Sequence, residues 1–143
     1  MEAATFVIER TVNAPVPKVW SAITNRDEME EWYFNLSGFE PIVGFEFQFA
    51  GGTEEATYLH KCRVTAVVPQ EKLTYSWCYN GFEGNSFVTF ELAPYGETAT
   101  RLKLTHEGLE SFPALADFSR TNFEEGWNYI IGESLISYFD KKV

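Results

Sequence analysis

The sequence is short of basic residues, of cysteine and of long apolar runs, and each shortage excludes something. Its 11 lysines and arginines face 21 aspartates and glutamates, a formal charge of −10 at pH 7. An acid excess of this size repels phosphate backbones and anionic headgroups, which argues against nucleic acid and membrane as partners. No apolar stretch approaches the roughly 20 residues of a spanning helix. Met1-Glu2-Ala3-Ala4-Thr5 has neither the basic nor the apolar region of an export signal, so a cytoplasmic protein is expected. The two cysteines, Cys62 and Cys78, form no CxxC pair and read as reduced thiols. A P-loop, a G-x-G-x-x-G fingerprint and a G-x-S-x-G nucleophile elbow are all missing.

What the sequence has instead is aromatic bulk. Four Trp, 7 Tyr and 13 Phe make up 17% of 143 residues, a length that suits one domain spanning 1–143. Each ring can bury on the order of 150–250 Å², so the chain can line a large interior.

Hydrophobic periodicity locates those rings. Thr5 to Val12 reads as a strand ending at Asn13-Ala14-Pro15. Val16, Val19, Trp20 and Ile23 form a helical stripe, and a second short helix follows with Asn25 or Asp27 as its cap and Met29 and Trp32 facing inward. The middle of the chain alternates with period two. Phe45, Phe47 and Phe49 share a face, as do His60, Cys62, Val64 and Ala66. Leu73, Tyr75, Trp77 and Tyr79 form a third inward set, Val88, Phe90 and Leu92 a fourth, and Leu102, Leu104 and His106 a fifth. Short turns at Gly51-Gly52, Pro69-Gln70, Gly81 with Gly84, and Pro94-Tyr95-Gly96 make an antiparallel meander with one packed face. Matching inward residues across each hairpin predicts Val64 opposite Trp77, Trp77 opposite Val88, and Val88 opposite Leu102, with Cys78 facing outward. Phe123, Trp127, Ile130, Ile131, Ser134, Leu135 and Tyr138 then fall on one face of a long C-terminal helix.

This order of elements resembles the START-like, or helix-grip, fold, in which a curved sheet wraps the last helix. The expected class is α+β, with six or seven antiparallel strands on a long C-terminal helix and two short helices after the first strand. Ala14-Pro15 with Val19-Trp20 and Trp32 is similar to the opening of the family named for activators of the heat-shock-protein-ninety ATPase. Val68-Pro69, Leu73-Thr74-Tyr75-Ser76-Trp77, Thr100-Arg101-Leu102, Leu104-Thr105-His106 and Gly126-Trp127 resemble its later landmarks. The likeness runs from about Phe6 to Phe139 and suits a small, stand-alone, bacterial-type member. It implies a cavity between sheet and helix for lipids, hydrophobic ligands or polyketide-like substrates. The eukaryotic co-chaperones carry an additional N-terminal domain for much of their chaperone contact, for which this chain has no room. Where the family often has a Gly-Arg-rich strand start, this chain has Gly44-Phe45-Glu46-Phe47, so no basic group waits there for an anionic ligand.

The expected cavity wall comprises Trp32, Phe45, Phe47, Cys62, Tyr75, Trp77, Tyr79, Phe90 and Leu104, with Trp127 and Ile131 from the helix. His60, His106, Ser134 and Tyr138, with Tyr75 and Tyr79, would supply its polar groups. His60 and His106 share the inward parity but sit three strand spacings apart, on the order of 14 Å, too far to share a metal ion. No metal, cofactor or catalytic residue is therefore assigned. Arg10 has inward parity and either pairs with a buried acid or leaves through the sheet edge. The leading reading is non-enzymatic binding of a small hydrophobic or lipid-like molecule. A chaperone-associated or regulatory module is the second, and a cyclase- or hydrolase-like enzyme using His60 or His106 the third. A free strand edge leaves monomer and homodimer both open.

Overall fold

A computed structural model describes residues 5–33, 36–52, 57–108, 111–112 and 120–141. Strand β1 (Thr5–Val12) leads into helices α1 (Val16–Thr24) and α2 (Arg26–Trp32). Strands β2 (Glu46–Gly52), β3 (Thr57–Val68), β4 (Lys72–Tyr79), β5 (Ser86–Tyr95) and β6 (Ala99–Glu107) follow. The C-terminal helix has three parts: α3 (Arg120–Tyr129), a π-helical turn (Ile130–Leu135) and α4 (Ile136–Lys141). Together these form the START-like helix grip. Six antiparallel strands in the order β1-β6-β5-β4-β3-β2 curve around the helix without closing. No helix among the described residues is long and apolar enough to cross a membrane.

Alternation decides which side of the sheet is core. In β4, Leu73, Tyr75, Trp77 and Tyr79 are buried while Lys72 is exposed. On the outer face one cross-strand row reads Glu9, Lys103, Glu91, Lys72, so charges of opposite sign stand side by side. The same row structure keeps Cys78 off the inward face. Its thiol lies 3.4 Å from the Lys61 carbonyl oxygen, and Cys62 is buried on the other side.

The hairpins slide along the expected parity, the first two by one inward position and the third by two. Beyond the bulge after Val64 the parity changes: Ala66, expected inward, stands opposite the outward Thr74, and Val67 takes the inward place opposite Leu73. Val64 stands opposite Tyr75 rather than Trp77, Trp77 opposite Ser86 rather than Val88, and Val88 opposite His106 rather than Leu102. Parity fixes the face of each residue, and the loops fix its partner. The β3–β4 turn is centred on Gln70 at φ 65°, a bulge intervenes between Val64 and Ala66, and β5 runs on through Pro94 to Tyr95 before turning at Gly96. Pro94 is tolerated there because β4 ends opposite Glu91. The Leu92 N–H already faces that side and donates to the Glu71 carbonyl, so the proline ring meets no further strand. Gly51 and Gly52, expected to form a turn, are instead the last residues of β2 and pair with Tyr58 and Thr57.

Local chemistry places the two short helices. Pro15 precedes α1, whose Val19, Ala22 and Ile23 are buried. Asn25 caps α2 by accepting from the Glu28 N–H at 3.1 Å, and Met29 and Trp32 turn inward.

The C-terminal helix departs from a regular α-helix for a readable reason. Five of its buried residues, Phe123, Trp127, Ile131, Leu135 and Phe139, recur every four positions, with Tyr138 buried beside the last. At 3.6 residues per turn a four-residue step overshoots by about 40°, so a straight α-helix would carry Phe139 round to the solvent side. The wider i→i+5 turn at Ile130–Leu135 takes up the excess and keeps all five against the core.

Gly84 joins β4 to β5 at φ +108°, where an added Cβ would lie 2.5 Å from the Ser111 carbonyl oxygen and 2.7 Å from Phe112 Cδ1. Ser111 fastens the same corner, with its Oγ 2.7 Å from the Asn85 carbonyl oxygen. Gly84→Ala is expected to lower stability by about 2 kcal/mol or more, read as a drop in the urea midpoint. Alanine at Gly81, where nothing lies within 4 Å, meets only the backbone term and is expected to cost less.

Candidate ligand-binding site

One end of the sheet gathers the aromatic and nitrogen-bearing side chains. His60 stacks on Phe49 with centroids 4.5 Å apart and meets Trp77 at 4.9 Å and Tyr79 at 4.7 Å, both edge-on. Trp77 in turn meets His106 at 5.2 Å and Trp127 at 5.6 Å. The two histidines thus lean on one indole instead of standing ~14 Å apart as flat-sheet spacing implied. Curvature brings side chains together on the concave face that their backbones hold apart. Among the described residues no group of three His, Cys, Asp or Glu converges as metal ligands do.

Hydrogen-bond direction fixes the protonation of His106. The Trp127 indole only donates, and its Nε1 lies 3.0 Å from His106 Nδ1, so Nδ1 is the acceptor. Nε2 therefore carries the proton and donates to Ser86 Oγ at 2.8 Å, while the Ser86 hydroxyl donates to the Trp77 carbonyl at 2.9 Å. Ser86 and His106 are both wholly buried. A Ser–His pair at this distance suggests a nucleophile and its base. Here Nε2 already holds a proton and cannot take one from Ser86.

The other interior polar groups are neutral as well. Burial, with a smaller push from His60, lowers the His106 pKa to about 3. Burial lowers His60 to about 4, against the pull of the Tyr58 and Phe49 backbone. His60 Nδ1 donates to the Tyr58 carbonyl at 3.0 Å. The Tyr33 and Tyr75 hydroxyls share a hydrogen bond of 2.7 Å, and burial pushes both phenols, and the Cys62 thiol, well above their usual values. Tyr79 is likewise raised by burial and accepts from Trp77 Nε1 at 2.9 Å.

The remaining expected residues divide. Phe47 stands edge-on to Tyr75 at 5.2 Å, Phe90 lies 6.2 Å from Tyr75, and Leu104 and Ile131 are wholly buried between sheet and helix. Trp32 reaches the cluster through Tyr33, 5.1 Å away, and donates to the Ala22 carbonyl. Phe45 is half-buried and packs on Phe39 at the margin. Ser134 and Tyr138 face α2 rather than the sheet. Ser134 donates to the Trp32 carbonyl at 2.7 Å, and Tyr138 donates to Glu28 Oε1 at 2.6 Å, whose other oxygen accepts from Ser21. Both line a surface cleft of about 350 Å³ with Glu31, Tyr129, Glu133 and Ser137. Arg10 takes the route through the sheet edge. It is exposed, 3.4 Å from Asn128 Oδ1, and lies over Gly132. Sequence reasoning gave no site role to Tyr33, whose ring stacks on Trp127 at 6.1 Å and 17°. It follows the last turn of α2, outside any apolar stripe, and only its adjacency to Trp32 hinted at it.

The two histidines set a pH dependence. Their folded pKa values lie below the ordinary 6.5, so between about pH 4 and 6.5 the unfolded chain holds more protons than the folded one. Their contribution is complete above pH 6.5 and is lost as pH falls, by up to about 1.4 kcal/mol per pH unit for each group. Urea midpoints at pH 7, 6 and 5 should fall accordingly. In His106→Gln, less stable throughout, the slope should be shallower by one proton; equal slopes would count against a neutral buried His106.

Comparison with known proteins agrees with this architecture. Residues 13–140 match the family model described as Activator of Hsp90 ATPase homolog 1-like protein. The crystal structure of MLL2253 from Mesorhizobium loti is 30% identical with a TM-score of 0.79, covering 97% of this chain and 98% of that one. CV1439 from Chromobacterium violaceum is 20% identical, with a TM-score of 0.77 and coverages of 95% and 96%. DynU16, described as a putative protein in the dynemicin biosynthetic locus, is 23% identical with a TM-score of 0.77, covering 96% of this chain and 47% of that one. No curated protein matches the chain in sequence. With its family model matched over nearly the whole chain and its helix-grip fold shared, this protein belongs to the Activator of Hsp90 ATPase homolog 1-like family.

Proposed function

We propose that this chain is a non-enzymatic binding protein that holds a small, uncharged, hydrophobic or lipid-like molecule between the concave sheet face and the C-terminal helix. The observation that carries the reading is the chemistry of the aromatic end. Phe49, His60, Trp77, Tyr79 and Trp127 pack there with neutral imidazoles and phenols, which suits an apolar ligand oriented by a few hydrogen bonds. The His106 tautomer favours binding over hydrolysis, because the buried Ser86–His106 pair is directed the wrong way for nucleophilic attack. The association of DynU16 with a biosynthetic locus accords with a small organic ligand.

Native mass spectrometry after mild purification is expected to show a retained small molecule. In a thermal-shift screen of lipids and uncharged metabolites, a true ligand at 100 times its Kd adds about 2.7 kcal/mol of stability, a rise of several degrees in Tm. A chain that carries nothing and is stabilised by nothing would sink the reading.

The description of the family itself favours a second reading, a chaperone-associated module. It predicts stimulation of the cognate chaperone's ATPase, and no effect at saturating protein would end it.

A further inference from the structure

We propose that the ligand is a flat fused-ring molecule with a hydrogen-bond donor on its edge, and that it displaces the Trp127 indole from His106. The inference rests on the ligand-binding reading above and names the chemistry of its polar contact. The argument starts at the sheet. A backbone carbonyl can only accept, so the Trp77 carbonyl claims the Ser86 hydroxyl proton, and Ser86 Oγ in turn claims the His106 Nε2 proton. His106 is left with a bare lone pair on Nδ1, aimed at α3 and held in place from behind. Only a donor satisfies it, and the Trp127 indole N–H does so at 3.0 Å. A ligand that merely accepts, or has no polar atom, would strand that nitrogen in a buried site.

The chain's own side chain shows what shape the surroundings take. The indole is a flat bicycle with an N–H on its edge, lying nearly parallel to Tyr33 at 6.1 Å, tilted on Trp77 at 5.6 Å and edge-on to Phe90 at 6.5 Å. Its position in the helix suits exchange. Trp127 belongs to α3, before the π turn, whereas the later part of the helix is tied to α2 separately, through Ser134 on the Trp32 carbonyl and Tyr138 on Glu28. Trp127 can leave His106 without either of those bonds breaking.

The test uses 2-naphthol and naphthalene, which share size and shape and differ in one donor. Titrated into 15N-labelled protein, 2-naphthol is expected to bind roughly tenfold tighter or better. It should also move the Trp127 indole N–H resonance to the position of an unbonded indole. In Trp127→Phe, where His106 Nδ1 has lost its donor and no indole bond need be broken, 2-naphthol should bind tighter than to the unaltered protein and keep its advantage over naphthalene. If that variant does not fold, the titration of the unaltered protein decides. Equal binding of both probes with the Trp127 N–H still on His106 would overturn the inference and leave the ligand-binding reading standing. If neither probe binds, the inference falls, and the ligand-binding reading stands or falls by the mass-spectrometric and thermal-shift screen.

Discussion

The helix is held to the sheet by a hydrogen-bond chain that runs in one direction, from Trp127 through His106 and Ser86 to the Trp77 carbonyl. Its members sit where water cannot substitute, so each depends on the others. A buried hydrogen bond adds only about 1 kcal/mol net, but stranding one of its partners costs about 1–3 kcal/mol. The chain therefore acts less as glue than as a constraint on rotation. Only one setting of the helix points the indole N–H at Nδ1, and that setting turns Phe123, Ile131 and Leu135 to the core.

Having fixed its rotation at Trp127, the helix must keep that face inward over three more turns, and an apolar repeat of four cannot do so in an α-helix. The π turn at Ile130–Leu135 reconciles the repeat with the core. It also decides where the polar residues go. With Leu135 and Phe139 held against the core, Ser134 and Tyr138 lie beside them and meet α2, satisfying the Trp32 carbonyl at its C-terminal end and the Glu28 carboxylate. One local irregularity thus assigns the polar groups of these two residues to the helix–helix seam and leaves the sheet–helix interior to aromatic and aliphatic side chains.

Much of this was legible in the sequence, and the boundary between what was and was not has physical causes. Period-two alternation reported the buried face of the strands, because burial acts on each residue separately, and it failed in β3 only beyond the bulge, where Val67 rather than Ala66 faces inward. It could not report the register, since sliding a hairpin by two leaves all faces unchanged, and only the Gln70 and Gly96 turns and the bulge after Val64 select the pairing. The C-terminal stripe was visible, and Tyr138 is buried with it, but a 3.6-residue template could not show that Ser134 and the Tyr138 hydroxyl turn to α2. The approach of His60 and His106 was hidden because strand spacing measures backbones, and curvature tilts side chains toward one another. Arg10 had inward parity on an edge strand, where a long side chain can run out past the sheet to Asn128.

The two ends of the C-terminal helix are tied by different kinds of bond, and this bears on which end can respond to a ligand. Around α4 the tie includes a carboxylate: Glu28 accepts from both Tyr138 and Ser21, and hydrogen bonds to an ionised group are the stronger kind. Around α3 the tie is neutral throughout, an indole on an unprotonated imidazole. A carboxylate pulled from its partners keeps its charge, so whatever replaces them must offset that charge as well as donate hydrogen bonds. An imidazole lone pair can be satisfied by any hydroxyl or N–H that arrives in an apolar frame. The acidic residues that give the chain its charge of −10 include the cross-strand rows of the outer sheet face, while the histidines and phenols of the aromatic end stay neutral. Exchange of one neutral donor for another is the change this interior accommodates most cheaply. It also makes the Trp127 end, not the Tyr138 end, the side at which the proposed ligand would make its polar contact.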